Sequence, residues 1–185
     1  MKFISEKFLL EKAKNEISEL TALATELKKN NNEIPKKIFL SHCHLDRELA
    51  RGLYRFLLSF KVYIYIDWMD SAMPATTNGV TAQKIKDKID DCDYVLVLAT
   101  QNAVNSKWVP WEIGVSDVLK TPDKILIIPI VDSAEKFKGN EYLQLYKSIQ
   151  ITSLGHHEII EPNKTSGIKL ESWLKSIGPF DLRNF

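Results

Sequence analysis

Apolar positions along the chain follow two alternating periods. Near-continuous apolar runs bounded by polar residues occur at 36–41 (KKIFLS), 62–67 (VYIYID), 93–100 (DYVLVLAT) and 124–131 (KILIIPIV), with a shorter one at 148–152. Runs of this length and composition predict strands buried on both faces, as in a parallel sheet. Between them the spacing changes to steps of three and four. Residues 45–60 place Leu45, Leu49, Leu53, Phe56, Leu57 and Phe60 on one side of a helix, and residues 81–92 turn Ile85 and Ile89 inward. A third helix begins near residues 106–108 and runs to Lys120. Residues 133–146 are mixed and helical in part, and 166–177 form a last helix carrying Ile168, Leu170, Trp173, Leu174 and Ile177. Strand and helix alternating in this way predict an α/β domain: a mainly parallel five-stranded sheet with helices on both faces.

Ahead of this unit, residues 3 to about 29 read as one charged N-terminal helix. Leu10, Ala13, Ile17, Leu20, Ala24 and Leu27 form a narrow heptad-like seam, suited either to packing on the chain's own domain or to self-association. The polar stretch 28–33 and Pro35 end it. The expected division is therefore an N-terminal amphipathic helix and linker at 1–33, then a domain at 34–185 that keeps the C-terminal helix. Residues 68–80, with Pro74 and Gly79, form a polar loop long enough to suggest function.

Composition narrows the partners. The chain has 185 residues, 44% of them hydrophobic, and a net charge of +1 from 25 basic and 24 acidic side chains. That balance makes no case for nucleic acid or an anionic membrane. Two cysteines, Cys43 and Cys92, have no paired spacing, so neither a disulfide framework nor a zinc ribbon is expected. No apolar run reaches transmembrane length and the N-terminus is charged, which predicts a cytoplasmic protein. There is no GxGxxG after the first strand and no GxxxxGK[ST].

Candidate chemistry gathers where the strands end. Parallel sheets bind ligands beyond the carboxyl ends of their strands. After the run 93–100 come Trp108, Pro110, Trp111 and Glu112. Proline is tolerated in a first helical turn, so Glu112 falls near a helix N-terminus, where a carboxylate is favoured as the anion. An indole four positions earlier offers a flat wall for a cationic ring. The alternative is that both tryptophans are core and Glu112 only complements the helix dipole. Asp67, with Trp68, closes the second run at the same edge and is placed either to bond ribose hydroxyls or to cap its loop. His42, Cys43 and His44 follow the first run as loop residues that line a pocket; alternate histidines point apart, which is poor for one metal. Asp46, Arg47, Glu48 and Arg51 read as a solvated helix face, and His156-His157, near Gly155, as surface loop.

Taken together, these stretches resemble a TIR (Toll/interleukin-1 receptor) domain. Ile38-Phe39-Leu40-Ser41-His42, followed by the acidic Asp46, is similar to that family's opening box. Ile66-Asp67 and the long loop after it resemble its second conserved stretch. Ser106-Lys107-Trp108-Val109-Pro110-Trp111-Glu112-Ile113 resembles the S-x-W-x-x-x-E-[LI] stretch of plant and bacterial members. The match spans about residues 36–152, and the pairs Asp67-Trp68 and Met73-Pro74 look closer to bacterial stand-alone members than to animal receptor adaptors. The resemblance implies a flavodoxin-like fold. It also implies a glutamate, Glu112, that cleaves NAD, with Phe39, Ser41, His42, Cys43, Asp67, Trp68 and Trp108 binding the substrate. No metal and no cofactor is implied, NAD being the substrate.

Bacterial members of this kind serve antiphage systems such as Thoeris, where they make an ADP-ribose-derived messenger for a separate effector. The expectation is thus an NAD glycohydrolase or ADP-ribosyl cyclase that self-associates on activation. Two alternatives stand beside it: a non-catalytic self-association scaffold, and an enzyme like the nucleoside deoxyribosyltransferases, which also set a glutamate at a sugar C1′.

Overall fold

A computed structural model describes residues 1–14, 37–58, 60, 62–70, 78–132, 134, 137 and 139–177. Strand β1 (Ile4–Ser5) leads into helix α1 (Glu6–Ala13). Then follow β2 (Lys37–Ser41), α2 (Arg47–Leu58), β3 (Tyr63–Tyr65), α3 (Gly79–Asp91), β4 (Tyr94–Ala99), α4 (Gln101–Asn105), α5 (Val109–Leu119), β5 (Ile125–Val131), β6 (Lys147–Ile151), β7 (His157–Ile160), β8 (Ile168–Lys169) and α6 (Leu170–Ile177). The sheet order is β3-β2-β4-β5-β6-β7-β8. The expected five strands, β3 to β6, pair in parallel; β7 and β8 extend them antiparallel.

Strand parity sorts the core into two layers. Ile38, Leu40, Leu96, Leu98, Leu126, Ile128 and Ile130 face α1 and α2; Phe39, Val95, Val97, Ile125 and Ile127 face α3 and α5. Every residue of β5 is buried, which is why that strand reads as an unbroken apolar run. The same alternation sets the site. Ser41 lies two residues beyond Phe39, and Asp67 two beyond Tyr65, whose ring stacks on Phe39 at 5.8 Å. Both polar side chains therefore belong to the α5 side of the sheet, at its carboxyl rim.

The N-terminal segment departs from expectation. Residues 4–5 are extended, not helical, and β1 pairs in parallel with the last two residues of β5, while Lys2 bridges to Ile151 at the end of β6. β1 thus wedges between two strands that diverge. The Ser5 side chain caps α1 by accepting the Phe8 N–H at 3.2 Å. Ile4 and Leu9 are fully buried in the same core as β2 and α2, whereas Leu10, the first residue of the expected seam, is 40% exposed. Ile17, Leu20, Ala24 and Leu27 lie outside the described residues. α1 crosses α2 so closely that a Cβ on Gly52 would lie 2.0 Å from the Leu9 carbonyl oxygen.

Other boundaries shift for local reasons. Leu45 sits in a 3₁₀ turn, His44–Asp46, and is 68% exposed, so α2 begins two residues later than the apolar spacing implied. α3 begins at Gly79 because Asn78 and Thr81 form a reciprocal capping box. Residues 168–169 are strand, not helix. His157 is not in a surface loop: it opens β7 and packs against the rings of Phe8 and Phe56, at 5.7 and 5.0 Å. Among the described residues no helix is long and apolar enough to cross a membrane.

Candidate active site at the carboxyl rim of the sheet

The chain between β4 and α5 is built from caps. The Thr100 hydroxyl accepts the Ala103 N–H at 3.0 Å and starts the short helix α4. Ser106 ends α4, and its hydroxyl accepts the N–H groups of Trp108 and Val109 at 3.1 and 3.4 Å, starting α5. Trp108 is the cap residue, and Pro110 occupies the first turn, where a missing N–H does no harm. The Glu112 N–H then donates to the Trp108 carbonyl at 2.8 Å. This fixes the glutamate one turn beyond the indole, as the spacing predicted.

Glu112 is 5% exposed. Its Oε2 accepts the Ser41 hydroxyl at 2.5 Å, joining α5 to the last residue of β2. Burial pushes its carboxyl up from an ordinary value near 4.5 to about 8; the Ser41 hydrogen bond opposes the shift and the charge of Asp67 adds to it. Desolvation therefore outweighs the hydroxyl donor.

Around this pair the structure gathers several of the predicted residues. The Asp67 carboxylate accepts the Trp68 N–H at 2.8 Å and lies 3.9 Å from His42 Nε2, while His42 Nδ1 donates to the Leu40 carbonyl at 3.2 Å. Trp108 is half-buried, its ring meeting Trp111 edge to face at 5.3 Å. Phe39 and Cys43 lie beside this group. Both are buried, at 2% and 4% exposure, and support the rim from the layer beneath. Trp68 turns to the α2 side, where the Arg47 guanidinium lies over its ring at 5.5 Å. The start of the polar loop is tied down as well: the Tyr65 hydroxyl donates to Asp70 at 2.9 Å, and Lys88 lies 3.5 Å from Asp70 and over the Tyr65 ring. Residues 71–77 lie outside the described part.

Sequence reasoning missed Asp46, reading it as solvated helix surface. It is 4% exposed and accepts hydrogen bonds from the Thr100 hydroxyl and, at 2.6 Å, from Asn102 Nδ2. Asp46 thus clamps the loop after β2 to the loop after β4 and holds Ser41 and α5 in register. The available signal was its position after the opening box, five residues beyond Ser41. Asp46→Ala strands the buried Thr100 hydroxyl and removes the partner of the exposed Asn102 amide, and the expected loss is about 1–3 kcal/mol, read as a fall of about 3–10 °C in the thermal midpoint. Among the described residues, no group of three or more His, Cys, Asp or Glu side chains is arranged to hold a metal ion.

The family model for the TIR domain matches residues 38–159, from the second residue of β2 to the third of β7. The chain belongs to the TIR domain family. A curated relative from Bacillus cereus (strain MSX-D12), named "Probable 3′ cyclic ADP-D-ribose synthase ThsB′", is 27% identical over 146 residues, covering 75% of each chain. The matched TIR region contains Ser41, Asp46, Asp67, Trp108 and Glu112, and so the whole rim just described; β1 and α1 precede it.

Proposed function

We propose that this TIR domain breaks the bond between nicotinamide and ribose in NAD and rearranges the ADP-ribosyl group into a cyclic nucleotide signal for bacterial antiphage defence. The observation that carries this reading is Glu112, a carboxylate buried at the sheet rim whose side-chain partner among the described residues is the Ser41 hydroxyl. The Ser41 contact supports this because it is the kind of hydroxyl-to-carboxylate bond that a ribose hydroxyl would make with Glu112. The relative's name supports the same chemistry, and its 3′ cyclic product supports a cyclase over a simple hydrolase.

The steps follow from charge. The leaving nicotinamide is already cationic, so the C1′–N bond breaks with its electron pair moving to the ring nitrogen, and neutral nicotinamide departs without an acid. The ribosyl group left behind resembles an oxocarbenium ion. Ionised Glu112 lies against the developing charge and accepts the ribose hydroxyls. Trp108 lines the nicotinamide face. A ribose hydroxyl of the same dinucleotide then captures C1′ and loses its proton, closing the ring; water in its place gives ADP-ribose. The product acts on a separate effector, and self-association triggers the domain. Cys43 and Cys92 are both free and buried, which supports a reducing compartment such as the cytoplasm.

The carboxyl near pH 8 makes a specific demand. In the free enzyme Glu112 must lose its proton to act, so kcat/KM for NAD is expected to rise about tenfold per unit up to pH 8 and level off above it. The cationic ring favours the carboxylate once bound, so the kcat midpoint falls at lower pH. A kcat/KM profile flat from pH 6 to 9 would refute this assignment. The reading itself is tested by nicotinamide release from NAD with free nucleosides as competitors. Preference for NAD supports it; preference for nucleosides favours the deoxyribosyltransferase alternative, and no turnover by assembled protein leaves the scaffold.

A further inference from the structure

The rim described so far is acidic where NAD is anionic. Glu112 and Asp67 suit ribose hydroxyls and a developing positive charge, yet the substrate also carries a diphosphate. A chain of contacts continues along the rim: Glu112 to Ser41, then His42, whose ring faces Asp67, then Trp68, whose indole lies under Arg47. Arg47 opens α2, is exposed, and among the described residues has no carboxylate within ion-pair distance. Its neighbour Glu48 pairs with Arg51 instead, at 3.2 Å. Among the described residues the buried Trp68 indole nitrogen has no hydrogen-bond partner.

Resting on the NAD reading above, we propose that Arg47, whose guanidinium lies over the Trp68 ring, is the subsite for the diphosphate of the dinucleotide. A guanidinium has five N–H donors, and with no carboxylate in ion-pair distance among the described residues they are available to match phosphate oxygens two at a time. In NAD the diphosphate hangs from C5′, on the far side of the ribose from C1′. With C1′ at Glu112, a diphosphate directed away from the carboxylates follows the contacts over the rim from the α5 side to Arg47 on the α2 side. The positive end of the α2 dipole adds to the same field. The sequence reading had left Arg47 on a solvated helix face.

The test separates this subsite from the catalytic reading. Titration calorimetry with ADP-ribose, which keeps the diphosphate and lacks nicotinamide, is expected to show binding weakened about ten- to hundredfold by Arg47→Ala and less by Arg47→Lys. In turnover assays Arg47→Ala raises KM for NAD by a similar factor with kcat within about twofold, and leaves cleavage of nicotinamide riboside, which has no phosphate, unchanged. Equal ADP-ribose affinity in wild type and Arg47→Ala, no binding by wild type, or an equal loss on nicotinamide riboside would overturn the subsite. Arg47-dependent ADP-ribose binding in a protein that releases no nicotinamide would instead sink the cleavage reading and leave the subsite standing.

Discussion

Glu112→Gln is expected to lower nicotinamide release about a thousandfold while making the protein more stable at alkaline pH. The two effects share one cause. Glutamine keeps an oxygen for the Ser41 hydroxyl but carries no charge to set against an oxocarbenium ion. In the folded chain Glu112 holds its proton to about pH 8, against an ordinary value near 4.5. Between those values the folded state binds more protons than the unfolded one, so stability falls as the pH rises across the window. Above pH 8 both states are ionised, and the cost of the buried carboxylate is fully present. The variant has no such cost. Its thermal midpoint should exceed that of wild type by about 5–10 °C at pH 8.5, with the gap closing towards pH 4.5. A variant less stable than wild type at pH 8.5 would mean that Glu112 is a structural anchor. Loss of activity with gain of stability is the behaviour of a strained functional group.

Gly52→Ala should have the second largest effect, and on stability alone. The added methyl would lie 2.0 Å from the Leu9 carbonyl oxygen and 2.7 Å from its carbon. Both are backbone atoms, so no rotamer change relieves the overlap and α1 must lift from α2. Lifting it exposes Leu9 and disturbs Ile4, both fully buried. A cost of about 2–4 kcal/mol is expected, seen as a fall of about 5–15 °C in the thermal midpoint and faster amide exchange over residues 4–13. An unchanged midpoint would contradict the close crossing. The outcome also bears on the N-terminal segment, since its first fourteen residues share the core of the domain that follows.

What was legible in the sequence follows from what the residues must satisfy. β4 and β5 were readable because a strand buried on both faces has no choice but to be apolar throughout. β1 and β8, two residues each, are too short to show a period, and β7 alternates too briefly to separate from the turn at Gly155. The Trp108–Glu112 spacing survived because caps at Thr100 and Ser106 are local chemistry. The contact of Ser41 with Glu112 spans 71 positions, and only the sheet brings the two together. Asp46 was misread for the same reason: its partners Thr100 and Asn102 are remote in sequence, while its neighbours Arg47 and Glu48 are exposed. Phe39 and Cys43 fell inside because the layer beneath a rim needs filling before the rim can hold anything.

The most direct measurement is product-resolved mass spectrometry of NAD incubated with assembled wild-type protein and with Glu112→Gln. The account predicts nicotinamide and a cyclic ADP-ribose isomer in equal amounts from wild type, and about a thousandfold less of each from the variant. Equal nicotinamide release by the two proteins would contradict it.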